Sequence, residues 1–151
     1  MPRDDPATTL AYLRWLILAI FLLAVSGSGI ELILLGHTEE FWQYIPLVLM
    51  GLSLISLAAT AIRPSRATMH LFRGLMLLFV ASGVAGLWLH YQANMEFEME
   101  VYPELVGWQL FWKAIQGKSP PSLAPGMMFV LGLLGWVYAF RHPNQLSEPL
   151  D

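Results

Sequence analysis

The chain has 151 residues, 56% hydrophobic and 13% charged, which is too apolar for a domain whose whole surface must face water. Its formal net charge of −3 carries no signal of nucleic-acid binding, and the absence of cysteine excludes disulfides, thiol redox chemistry and thiolate metal sites. The composition is that of a membrane protein, and the apolar runs lack the alternation of barrel strands, so the backbone must satisfy its polar groups as helices.

A hydrocarbon core of ~30 Å takes ~20 helical residues to cross. Four segments approach that length: Trp15 to Leu35, Ile45 to Ile62, Leu71 to Tyr91 and Pro125 to Phe140. Connections are short except after the third. The expected fold is therefore all-α, an integral membrane four-helix antiparallel bundle forming a single domain over residues 1–151.

Met1 to Leu10 is polar and reads as a tail, with Thr8 or Thr9 available to cap the first helix. Ala24-Val25-Ser26 has the small residues a signal peptidase favours. The apolar run nevertheless continues to Leu35, longer than a signal-peptide core, so the segment reads as an anchor. Within it, Ser26-Gly27-Ser28-Gly29 offers a small-residue surface, as Ala81-Ser82-Gly83-Val84-Ala85-Gly86 does in the third span. Small residues let helix backbones approach closely in lipid, so these two stretches are expected to face each other. Glu31 lies about four residues and ~6 Å inside the first span. An ionisable group there is costly, and with Ser28 on the same face it is expected to point into that seam. Snorkelling to the interface is the alternative.

The two halves resemble each other. Leu22-Leu23-Ala24-Val25-Ser26-Gly27 matches Leu77-Leu78-Phe79-Val80-Ala81-Ser82-Gly83, and each run then reaches a histidine, an acidic aromatic loop and a proline. The second helices close alike at Ala61-Ile62-Arg63-Pro64 and Ala139-Phe140-Arg141-His142-Pro143. A duplication of this kind puts a pseudo-twofold along the membrane normal.

Orientation follows from basic residues near the span ends. Arg3, Arg14, Arg63, Arg66, Arg73 and Arg141 fall on one side; only Lys113 and Lys118 fall on the other. Both termini are thus expected in the cytoplasm, with a bacterial inner membrane as the setting. The cluster Arg63, Arg66 and Arg73, with His70, suits anionic headgroups, but topology alone explains it. His142 lies on the same flank.

The opposite side carries His37 and His90 with Glu39, Glu40, Glu96, Glu98, Glu100 and Glu104. Two imidazoles beside carboxylates can bind a divalent metal or haem, or relay protons. They can equally hydrogen-bond neighbouring loops. From Met95 to Tyr102 apolar and acidic residues alternate, as in an extended strand. A continued third helix would instead align His90, Asn94 and Glu98 on one face. Beyond it, Leu105, Trp108, Phe111, Trp112 and Ile115 form an apolar stripe, predicting an amphipathic interfacial helix over 103–116 that starts at Pro103 and stops at Gly117. Ser119-Pro120-Pro121-Ser122 reads as a stiff connector into the last span.

The segments Leu87-Trp88-Leu89-His90-Tyr91-Gln92-Ala93-Asn94-Met95-Glu96-Phe97-Glu98 and Pro120-Pro121-Ser122-Leu123-Ala124-Pro125-Gly126 resemble small bacterial four-helix integral membrane proteins. The resemblance covers the second half of the chain and implies a fold, with no activity. No nucleotide loop, hydrolase elbow or metalloprotease helix is present, so no catalytic residue is assigned. Three functions remain. The first is a non-enzymatic accessory, assembly or scaffold subunit, without a cofactor, paired with itself or another membrane protein. The second is a solute or proton carrier using Glu31, and the third a haem- or metal-binding redox protein using His37 and His90.

Overall fold

A computed structural model of the chain describes residues 5–116 and 123–142. Every regular element in them is a helix: α1 (Pro6–Leu34), α2 (Phe41–Ile62), α3 (Arg66–Val101), α4 (Gly107–Ile115) and α5 (Leu123–Ala139). The first three are long and apolar enough to cross a membrane, whereas α5 is shorter.

Local chemistry sets the boundaries. Asp5 caps α1, its carboxylate accepting from the Ala7 amide at 3.3 Å and from the Thr8 hydroxyl at 3.4 Å, with Pro6 as the first helical residue. The expected threonine cap is thus displaced, because the aspartate stands directly before a proline preset for the helix. Gln43 holds the start of α2 by accepting from the Glu39 and Glu40 amides at 2.7 and 3.2 Å. Ser65 and Thr68 exchange side-chain bonds at the start of α3, as a capping box does.

α3 runs on for 36 residues and includes the alternating stretch. Of the two readings of Met95 to Tyr102, the helical one is observed. Ala, Met, Glu and Gln all favour helix, and nothing from Leu87 onward breaks it. The end comes at Tyr102, where the following Pro103 disfavours helical backbone. Pro103 and Glu104 then form a turn closed by the Leu105 amide on the Tyr102 carbonyl at 3.0 Å. α4 therefore starts at Gly107, four residues later than expected, and Leu105 lies outside it. Gly107 has φ +59, a conformation that favours glycine. The predicted stop at Gly117 and the connector Ser119 to Ser122 lie outside the described residues.

α3 packs against α5, α2 and α4, and α1 packs against α5 and α2. The small-residue seam is therefore between α3 and α5, and the expected pairing of α1 with α3 is corrected. A Cβ on Gly83 would lie 2.7 Å from the Phe129 amide and 2.8 Å from the Pro125 carbonyl; one on Gly132 would lie 2.8 Å from the Met76 carbonyl. Backbones meet there. A Cβ on Gly27, by contrast, would meet nothing within 4 Å. α1 and α3 touch through large side chains instead, with Phe21 against Phe72 and Phe79 at ring separations of 5.7 and 6.5 Å. Around these rings Val25, Met50, Met76 and Leu131 complete the core. The buried Ser53 and Thr60 hydroxyls return to carbonyls of their own helix at 2.7 and 2.9 Å, so α2 presents them to the core at little cost.

Candidate functional site

At the acidic end, the close of α1 fixes His37. Gly36 adopts φ +65, its amide reaches the Ile33 carbonyl at 3.1 Å, and the His37 amide reaches Leu32 at 3.0 Å. This pair of bonds is a Schellman ending, which only a glycine fits without strain. It turns the chain so that His37 lies beside His90 on α3. The two rings are parallel within 7°, their centres 6.2 Å apart, and both residues are half-buried. The histidines that correspond in the two halves of the sequence are thus neighbours.

One and two turns beyond His90, the same face of α3 receives α4. Asn94 donates from Nδ2 to the Ala114 carbonyl at 3.1 Å, and Ala114 is fully buried. Glu98 is also buried, 7% exposed, and its Oε2 has no hydrogen-bond partner. Glu96 faces outward. The helical continuation of α3 therefore separates the two carboxylates and sends Glu98 toward the protein. Among the described residues, no three histidines or carboxylates stand close enough to hold a metal ion.

The stripe on α4 divides in two. Phe111 and Ile115 are half-buried, as is Leu105 ahead of the helix, while Trp108 and Trp112 are 71% and 51% exposed. Their rings make a continuous ridge: Tyr91 contacts Phe111 at 5.7 Å, Phe111 contacts Trp108 at 5.0 Å, and Trp108 contacts Trp112 at 6.1 Å. Beside the ridge is an open groove lined by Leu105, Gln109, Lys113 and Gln116. Lys113 stands 5.0 Å above the Tyr102 ring, which ties α4 back to the end of α3.

No protein-family model, curated protein or solved structure matches the chain. Its function must therefore be argued from its own geometry.

Glu31 is exposed on α1 and Ser28 half-buried. The close-packed glycine face of α3 meets α5, and Glu31 is exposed, so the expectation that it points into a small-residue seam with α3 is corrected. The basic end holds two arginines for which the sequence suggested topology and, for Arg73, anionic headgroups, but no role in the fold. Arg14 donates from Nη2 to the Arg141 carbonyl at 2.8 Å, and Arg73 from Nη2 to the Ala139 carbonyl at 2.8 Å. Two helices thus cap the end of α5, where carbonyls lack intrahelical donors and the helix dipole is negative. The available signal was position: Arg73 stands two residues inside an apolar run. His142 follows directly, and burial, then the charges of Arg14 and Arg73, hold its pKa below the ordinary 6.5.

Proposed function

We propose that this chain is a non-enzymatic integral membrane protein that works as an accessory, assembly or scaffold subunit through its acidic, aromatic end. In this reading α1, α2, α3 and α5 cross the membrane as an antiparallel four-helix bundle. α4 lies at the interface, and both termini lie in the cytoplasm. The outward faces support insertion, since Leu23, Ile55, Leu78 and Val130 are all exposed. The observation that carries the subunit role is the ridge of Trp108, Phe111 and Trp112. Exposed tryptophans on a docked helix are the residues most enriched at binding hot spots and at membrane interfaces. The partner is a second copy or another membrane protein.

The test is mild extraction followed by native mass spectrometry of the intact assembly. Mass from a further subunit is expected, lost when Trp108→Ser and Trp112→Ser are combined while the chain still fractionates with membranes. A dispersed, bare monomer from the unaltered chain would refute the subunit role.

A second reading, ligand or proton binding by His37 and His90, is supported by their parallel rings. Haem or a divalent metal bound there would give an absorption band or metal content that His90→Ala removes. The exposed position of Glu31 lends no support to a carrier whose path follows the first and third helices.

A further inference from the structure

The side chains of two arginines, Arg14 and Arg73, meet the main chain at the end of α5, and Arg141 stands in the chain at the same point. Arg14 comes from α1 and Arg73 from α3, and Arg141 follows α5. The carbonyls that accept from Arg14 and Arg73 are two residues apart, so both guanidinium groups meet the same short stretch of main chain at the end of α5. Each guanidinium has five donors in a planar fork, and these bonds to main-chain carbonyls engage one nitrogen of each. The Arg73 Nε is buried without a partner. Arg141 adds its charge from a left-handed backbone, φ +46, with its side chain over the Phe140 ring at 5.6 Å.

Among the described residues, charge balance at this end is one-sided. The α5 terminus supplies only about half a negative charge against three guanidinium charges. Asp5 is engaged in capping its own helix and stands nine residues from Arg14, about 13 Å along α1. Glu31, Glu39, Glu40, Glu96, Glu98, Glu100 and Glu104 all lie toward the other end of the helices. The surroundings are apolar and aromatic: Trp15, Leu16 and Phe140 are exposed beside the cluster, and the Trp136 ring carries Arg73 at 5.8 Å. Such a setting fits an amphiphile whose charged head meets the arginines while its chains run along the helices.

We propose that Arg14, Arg73 and Arg141 form a binding site for the phosphate of an anionic lipid headgroup. Guanidinium forks match phosphate oxygens two at a time, which a diffuse layer of basic residues does not do. The site rests on the membrane reading above.

The experiment uses the full chain in neutral detergent, mixed with equal amounts of phosphatidylglycerol and phosphatidylcholine, and counts bound lipid by native mass spectrometry. Phosphatidylglycerol is expected to be retained in clear preference. Arg141→Gln, which leaves both bonds to the α5 carbonyls in place, is expected to reduce that preference about fivefold, and Arg14→Gln at least as much. Arg63→Gln, a basic residue at the same end but outside the cluster, is expected to change nothing. Equal retention of the two lipids would overturn the proposal, as would an equal loss in Arg63→Gln and Arg141→Gln. Binding of inorganic phosphate alone at the same concentration would overturn the lipid assignment in favour of a free anion. A chain absent from the membrane fraction would fail the membrane reading itself; a membrane-inserted chain without headgroup preference would fail only this inference.

Discussion

Arg14 on α1 reaches across 127 residues of sequence to the carbonyl of Arg141, at 2.8 Å, and so ties the first helix to the end of the last. The bond is charge-assisted, but it is solvent-exposed, which places it near the low end of the range for such bonds. Arg14→Ala is expected to lower the stability of the detergent-solubilised protein by about 1 kcal/mol. Arg14→Lys should recover only part of it, because an ammonium keeps the charge and loses the fork. Thermal unfolding followed by circular dichroism measures both. An unchanged midpoint for the alanine variant would show that α5 does not depend on this cap.

The contact between α3 and α5 makes a sharper distinction between glycines. Gly83→Ala and Gly132→Ala each force a methyl into opposing backbone atoms closer than 3 Å, and packed helices cannot yield there without moving apart. Each should cost about 1–3 kcal/mol. Gly27→Ala meets open space and should be neutral or slightly stabilising, because alanine is the better helix former. If all three melt alike, the seam is not where α3 and α5 meet.

The same glycines show what was legible in the sequence and what was not. Hydrophobic run lengths were sufficient to find the apolar helices, and Gly83 with Gly86 marked a close-packed face on α3. The partner was not legible, because α1 and α5 both carry small residues and one sequence does not say which lies adjacent. α1 meets α3 through Phe21, Phe72 and Phe79, whose rings span a gap too wide for backbone contact. His37 was found as a candidate, and the glycine before it held the reason for its position. The ambiguity at Met95 to Tyr102 arose because alternating Met and Glu serve a strand pattern and a helix propensity equally; Pro103 was the decisive stop. Arg14 and Arg73 were read as topology signals because their acceptors are main-chain carbonyls, which leave no trace in residue identity.

His142 makes stability depend on pH. Its pKa in the folded protein lies below the ordinary 6.5, through burial and the charges of Arg14 and Arg73, with Arg141 adjacent in sequence and the Tyr138 ring 5.3 Å away. The unfolded chain therefore binds this proton more readily than the folded one. Its contribution is complete above pH 6.5 and is lost as pH falls from there through the folded value. The melting temperature is expected to drop on acidification from pH 7.5, and His142→Gln should flatten that slope. An identical slope in the variant would assign the pH dependence to other groups.

Glu98 offers the last test, because it sets burial against hydrogen bonding on the face of α3 where Asn94 holds α4. Its neighbour one turn earlier, Asn94, secures α4 through the Ala114 carbonyl, whereas the buried Glu98 Oε2 has no bond of its own. A buried acceptor without a donor costs about 1–3 kcal/mol, and an apolar side chain of similar length removes that cost while keeping the contact. Glu98→Met should therefore strengthen the docking of α4, and Asn94→Ala should weaken it. Amide hydrogen exchange over residues 107–115 reads both directions in one experiment: slower in the methionine variant, faster in the alanine variant. Faster exchange in Glu98→Met would mean that the carboxylate is needed in place.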